Sequence, residues 1–184
     1  MNDIRRISSR ENKFIKLVKS LEKRNSRWKN NLFIIEGEKI LSEAIENNQR
    51  IKLIMISDKA NLSDTMMQSL SRIMNKTDVF ILDHSLFEAI SKLENSQGIL
   101  AVVHFQLASI EDIQVNNILL YSDGIQDPGN LGTIIRTIDA FGLDGLILGE
   151  NTVDPYNPKV VRATMGYIFR VPIFLNKLGR NGLL

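Results

Sequence analysis

Three observations predict an α/β chain built as two successive units. Over roughly the first 105 residues, short apolar runs of strand type alternate with helically spaced segments. A mixed polar stretch, 106–116, then breaks the alternation. A continuous apolar run, Ile118-Leu119-Leu120-Tyr121, opens a new unit and has the composition of a parallel strand covered on both faces. With 184 residues the chain is long enough for two small domains. The boundaries read as 1–105, a linker at 106–116, and 117–184.

The elements follow in order. Phe14, Ile15, Leu17, Val18 and Leu21 line one side of a basic helix, with Ser9 or Asn12 at its start. Leu32 to Ile35 is a short buried strand, ended by Glu36-Gly37. Residues 38–46 form a helix with Ile40, Leu41, Ala44 and Ile45 inward. Ile51 to Ile56 is strand-like, Leu62 to Met74 helical, and Val79 to Leu82 strand-like. Ser85-Leu86-Phe87-Glu88 has capping-box spacing for a short helix, and Ile99 to Val103 is another strand. In the second unit, Pro128 to Phe141 is helical, with Leu131, Ile134, Ile135, Ile138 and Phe141 as its inner stripe. Leu143 to Leu148 is a strand, Pro158 to Met165 a helix, and Val171 to Leu175 a third strand.

Composition removes several function classes. With no cysteine there is no disulfide, no thiolate nucleophile and no cysteine-based zinc site. His84 and His104 lack ligand spacing, so no metal is expected. No apolar run approaches the roughly 20 residues that cross a bilayer, and the polar N-terminus lacks a signal-peptide core. The expectation is a cytoplasmic protein without a membrane partner. Charge is unevenly placed. The first thirty residues hold ten Lys or Arg against three acids, leaving thirteen basic and eighteen acidic residues in the rest. A positive front on a negative body suits nucleic acid.

The chemistry is expected between Asp123 and Pro172. Asp127-Pro128 is a helix entry, Asp as N-cap and Pro at the first helical position. Gly129 and Gly132 leave room for close backbone approach, and the first-turn N–H groups favour an anion, although many helices that begin this way are simply capped. Asn130 and Arg136 lie on one helix about 120° and about 9 Å apart, so they do not share a face. A long Arg side chain leaning toward the N-terminus shortens that gap, letting both meet one substrate beyond the strand ends. Asp123, Asp127 and Asp154 sit beside Gly or Pro and read as turn residues. No dinucleotide-binding glycine motif, phosphate loop or nucleophile elbow occurs.

At these residues the chain resembles a known family. The run Asp127-Pro128-Gly129-Asn130-Leu131-Gly132-Thr133-Ile134-Ile135-Arg136-Thr137 is similar to the first signature of the SpoU (TrmH-like) RNA ribose 2′-O-methyltransferases, of the SPOUT class. The segment from Asp154-Pro155-Tyr156-Asn157-Pro158-Lys159 to Gly166 resembles the one that follows it, with Thr164 where many relatives carry Ser. Ser8-Ser9-Arg10-Glu11-Asn12, Phe33-Ile34-Ile35-Glu36-Gly37-Glu38 and Gln97-Gly98-Ile99-Leu100-Ala101 resemble the RNA-binding domain that precedes the catalytic one.

The resemblance implies a small N-terminal α/β RNA-binding domain followed by a SPOUT (α/β knot) domain with a parallel sheet. It implies methyl transfer from S-adenosylmethionine to a ribose 2′-hydroxyl of ribosomal or transfer RNA, with Asn130 and Arg136 as the catalytic pair. A guanidinium holds its proton too tightly for general-base work, so Arg136 is expected to grip a phosphate and align the hydroxyl. The residues expected to bind RNA are Arg10, Asn12, Lys16, Arg24 and Arg27. Relatives continue for several dozen residues past the last strand. That part carries the knot, most of the cofactor pocket and much of a homodimer interface. The SPOUT unit is therefore expected to be incomplete here, with the cofactor-binding residues further on. The alternative is an RNA-binding fragment without transferase activity.

Overall fold

The computed structural model describes residues 5–176 and divides into two compact units, Met1–Phe105 and Gln106–Leu184. In unit 1 the elements run β1 (Arg5–Ile7), α1 (Lys13–Ser20), α2 (Arg24–Asn30), β2 (Leu32–Glu36), α3 (Glu38–Glu46), β3 (Ile51–Ser57), α4 (Asp64–Ile73), β4 (Asp78–Leu82), α5 (His84–Glu88) and β5 (Ile99–His104). The five strands form one mixed sheet in the order β1-β4-β3-β5-β2. β1, β4 and β3 are parallel, and β5 runs antiparallel to both β3 and β2.

Period-two alternation gives this sheet two apolar faces. On one, Leu53, Met55, Phe80, Leu82, Leu100 and Val102 join a single core cluster. Ile15, Val18 and Leu21 from α1 and the turn after it, with Leu86 and Phe87 from α5, complete that cluster. Ile54, Val79 and Ala101, the intervening residues, are also buried, and α3 packs on β2 and β5. Asn12 is the cap of α1, its side chain accepting from the Phe14 N–H at 2.9 Å.

Two elements have no apolar periodicity to announce them. β1 is a three-residue strand held at the sheet edge by Arg5 on Asp78 (2.5 Å) and Arg6 on Asp58 (2.7 Å) and Asp83. α2, Arg-Asn-Ser-Arg-Trp-Lys-Asn, is a second short basic helix. The capping-box reading at Ser85 is corrected. The helix starts two residues earlier, Asp83 is its N-cap, and Asp83 gives its carboxylate to Arg6 rather than to the helix.

In unit 2, β6 (Leu119–Ser122), β7 (Gly145–Leu148) and β8 (Ile173–Leu175) form a parallel sheet in that order. α6 (Pro128–Ala140) connects the first pair and α7 (Pro158–Ala163) the second. β7 is buried at every position, whereas Leu119, Leu120 and Tyr121 of β6 are only half-buried. The expectation of a first strand covered on both faces is therefore corrected: β6 is an edge among the described residues. The stretch 106–116 is not a free tether. Ala108 N–H donates to the Ile173 carbonyl at 2.9 Å, and Ile110–Asp112 makes a 3-10 turn. Phe141 is a further correction, standing 79% exposed at the C-cap of α6 instead of on the inner stripe.

Candidate nucleic-acid and catalytic sites

Motif residues in unit 1 act mainly as fasteners. Glu36 accepts from Ser96 Oγ at 2.7 Å and from Ser91 Oγ, and the Gly37 N–H donates to the Ile99 carbonyl at 3.0 Å. The Glu38 N–H donates to Gln97 Oε1 at 2.9 Å. The two runs that resemble the RNA-binding domain, 33–38 and 97–101, thus meet in space. They tie the end of β2 to the start of β5.

The basic residues separate into two kinds. Arg27 is corrected as an RNA contact: it is 2% exposed and donates to the carbonyls of Leu21 (2.9 Å) and Glu22 (2.8 Å). Asn12 spends its side-chain oxygen on the α1 cap. Arg10 and Arg24 are exposed, with Arg24 lying over the Trp28 ring at 5.8 Å. Lys16 lines a groove of about 690 Å³ between α1 and α2, shared with Lys19, Lys23, Lys29, Ser20 and Ser26. Three of these lysines were missed from sequence. The i, i+3, i+7 spacing of Lys16, Lys19 and Lys23 was the available signal.

In unit 2, Asp127 caps α6 by accepting the Asn130 N–H at 2.8 Å, and Pro128 occupies the first turn. A carboxylate already seated on a first-turn N–H leaves that helix mouth a plain cap rather than an anion site. Gly132 has an internal reason. A Cβ there would stand 2.3 Å from the Ala163 Cβ, so its bareness lets α6 and α7 touch. The second motif builds α7. Asn157 caps it by accepting the Lys159 N–H at 2.9 Å, buried Asp154 accepts the Tyr156 N–H at 3.0 Å, and Thr164 Oγ1 donates to the Val161 carbonyl at 2.7 Å. Burial and then Asp154 push the Tyr156 phenol well above its ordinary range, so it stays neutral.

Both predicted catalytic side chains are exposed, and neither has an ion pair or side-chain hydrogen bond among the described residues. Arg136 is exposed, as a side chain that meets a substrate must be. It lines an open pocket of about 250 Å³ with Thr133, Thr137, Phe141 and Tyr167. Asp139, three residues on, faces Arg170 at 4.0 Å, and Arg170 lies over the Tyr167 ring at 5.1 Å. Asn130 is one turn and a half nearer the helix start and does not line this pocket. The structure therefore does not bring the pair into one cavity. Phe141 and Tyr167 were missed as neighbours of Arg136.

A polar mouth lies at the carboxyl ends of β6 and β7. Tyr121 Oη and Ser122 Oγ are buried there without a hydrogen-bond partner among the described residues. A Cβ on Gly149 would come within 2.6 Å of Tyr121 Oη and 2.7 Å of Asp123 Oδ1. Strand carboxyl ends are where open parallel sheets take ligands. The orphaned Tyr121 hydroxyl beside a bare glycine fits a polar group entering at that place, whereas Ser122, the next residue of the strand, points to the other face of the sheet.

A model of the SpoU rRNA methylase family matches residues 117–179, and one of the MRM3-like substrate binding domain matches residues 12–101. The chain is 33% identical over 175 residues to the 23S rRNA (guanosine(2553)-2′-O)-methyltransferase RlmP of Bacillus subtilis, covering 95% of this chain and 66% of that protein. It is 31% identical to the 23S rRNA (uridine(2479)-2′-O)-methyltransferase of Streptomyces viridochromogenes, covering 91% of this chain and 59% of that one. The AdoMet-bound rRNA methyltransferase of Sinorhizobium meliloti superposes with a TM-score of 0.82 at 28% identity, covering 94% of this chain and 64% of that one. The SpoU methyltransferase AviRb of S. viridochromogenes, in complex with the cofactor AdoMet, gives 0.81 at 25%, over 94% and 65%. The chain thus spans somewhat under two thirds of the length of most of these relatives.

Proposed function

The chain belongs to the SpoU rRNA methylase family, and from that premise we propose that it acts as an RNA ribose 2′-O-methyltransferase with ribosomal RNA as substrate. S-adenosylmethionine supplies the methyl group, and among the described residues Tyr121, beside Gly149, offers the hydroxyl that would meet it at the strand ends. The observation that carries the reading is Arg136: an exposed guanidinium in an open pocket, on the family's first motif helix, with no carboxylate paired to it among the described residues. A planar fork of this kind holds a phosphodiester in two directions and aligns the neighbouring ribose hydroxyl. Asn130, at the exposed first turn of the same helix, is assigned the outer edge of that substrate path.

Arg10, Lys16 and Arg24 are assigned to RNA contact in unit 1, supported by their exposure and charge. A cytoplasmic place of action and assembly as a homodimer complete the proposal. The apolar side chains exposed in unit 2 support the latter. No described helix is long and apolar enough to cross a membrane.

The test is transfer of label from methyl-tritiated S-adenosylmethionine to ribosomal RNA, followed by alkaline digestion. A 2′-O-methyl group blocks cleavage, so label is expected in alkali-resistant dinucleotides. Arg136→Lys is expected to lower turnover by about 10²-fold, because a point charge replaces an aligned fork. RNA binding without any transferred label would return the protein to a binding module. Near-normal turnover of Arg136→Lys would remove the fork.

A further inference from the structure

The groove between α1 and α2 carries an inference of its own. α1 is amphipathic. Ile15 and Val18 are buried, while Lys16 and Lys19 stand in solvent on the opposite side. Lys23, at the N-cap of α2, continues that basic line, and Lys29 faces it from α2. Lys16 is paired with Glu11 at 2.5 Å. Lys19, Lys23 and Lys29 have no ion pair among the described residues.

Lys19 also acts through space on the Glu11 carboxylate, yet the ammonium groups around this one depression still repel each other. Their arrangement is favourable only beside an anion or in salt. The floor between them is polar and uncharged. Ser20 and Ser26 join hydroxyl to hydroxyl at 2.9 Å, and Ser20 Oγ donates to the Leu17 carbonyl at 2.7 Å. The groove offers no aromatic platform, since Trp28, the one aromatic of α2, does not line it. Asn25 and Asn30 complete the lining, so lysine is the only charged residue type in it.

We infer that this groove is a track for the sugar–phosphate backbone of RNA, placed on α1 and α2 and seating about three phosphates. RNA is named as the ligand because the inference rests on the proposed methyltransferase reading. The geometry itself asks for a chain of regularly spaced anions. Lysine is suited to this, because it acts as a mobile point charge and does not impose a bidentate geometry.

The experiment uses the full 184-residue chain and fluorescently labelled single-stranded RNA, with anisotropy measured across a salt series. The triple substitution Lys19→Gln, Lys23→Gln, Lys29→Gln is compared with Lys39→Gln, Lys52→Gln, Lys59→Gln, which removes the same charge from exposed positions elsewhere in unit 1. The groove triple is expected to weaken binding at least tenfold at low salt. It should also flatten the slope of log affinity against log salt by about 2, which is three single-strand phosphate contacts. The control triple is expected to shift affinity less than twofold. Circular dichroism and Trp28 fluorescence verify that both triples stay folded.

Unchanged affinity and slope in the groove triple would overturn the inference, as would equal losses in the two triples. The methyl-transfer assay is read separately. Label transferred by a protein whose groove triple binds normally sinks the track and leaves the enzyme. Groove-dependent binding without label does the reverse.

Discussion

Unit 1 and unit 2 treat their apolar side chains differently. In unit 1, Met67 is the one large apolar residue standing exposed among the described residues, and β5 is buried at all positions but His104. In unit 2, Val115, Ile118, Phe141 and Met165 all stand in solvent among the described residues, and the first strand is half-covered. The first unit is a sheet closed over by helices. The second is a short parallel sheet flanked by apolar side chains that stand in solvent among the described residues. One unit encloses its apolar side chains, and the other leaves several of them in solvent among the described residues.

The largest effect is expected where this contrast is sharpest. Phe33 is 1% exposed and Phe141 79%. Phe33→Ala should cost about 3–5 kcal/mol of stability by calorimetric unfolding. Phe141→Ala should stay within about 0.5 kcal/mol. Comparable losses from the two would erase the distinction. Next in size, Gly132→Ala forces a methyl into the α6–α7 contact and is expected to destabilise unit 2 by about 1–3 kcal/mol. Hydrogen exchange should quicken in β6 to β8 and leave β2 to β5 unchanged. Acceleration spread evenly through both sheets would contradict separate units.

The smallest effect concerns acid. Burial, reinforced by Arg50 and Lys52, holds the His104 imidazole below its ordinary 6.5. The folded chain therefore resists a proton that the unfolded chain accepts. Stability is kept above about pH 6.5 and lost as pH falls through the depressed folded value. His104→Gln is expected to flatten this limb of the stability profile while leaving neutral pH unaffected. An unaltered limb would assign the acid sensitivity elsewhere.

Legibility from sequence followed the apolar pattern. The helix 38–46 was readable to the residue, because Ile40, Leu41 and Ala44 mark its buried side and Gly37 precedes it. β3 and β5 were readable as apolar runs. β1 was invisible because its three residues are held by Arg5 and Arg6 reaching Asp78, Asp58 and Asp83, partners more than fifty residues away. α2 was invisible because it has almost no apolar residue to count. On α6, Asp127 as cap was legible from the proline that follows it. Gly132 looked like space for a ligand because its true neighbour, Ala163, is thirty-one positions downstream. Local chemistry names the residue, but distant packing decides which way it serves.

Arg27 makes the same point for charge. Counted along the chain it is one of ten cations at the front, yet it never meets solvent, and its guanidinium rivets the corner between two helices by gripping consecutive carbonyls. An ammonium there would keep the formal charge at +2 and still let the corner splay. Two proteins with identical electrostatic totals would then differ in how widely their lysine walls part.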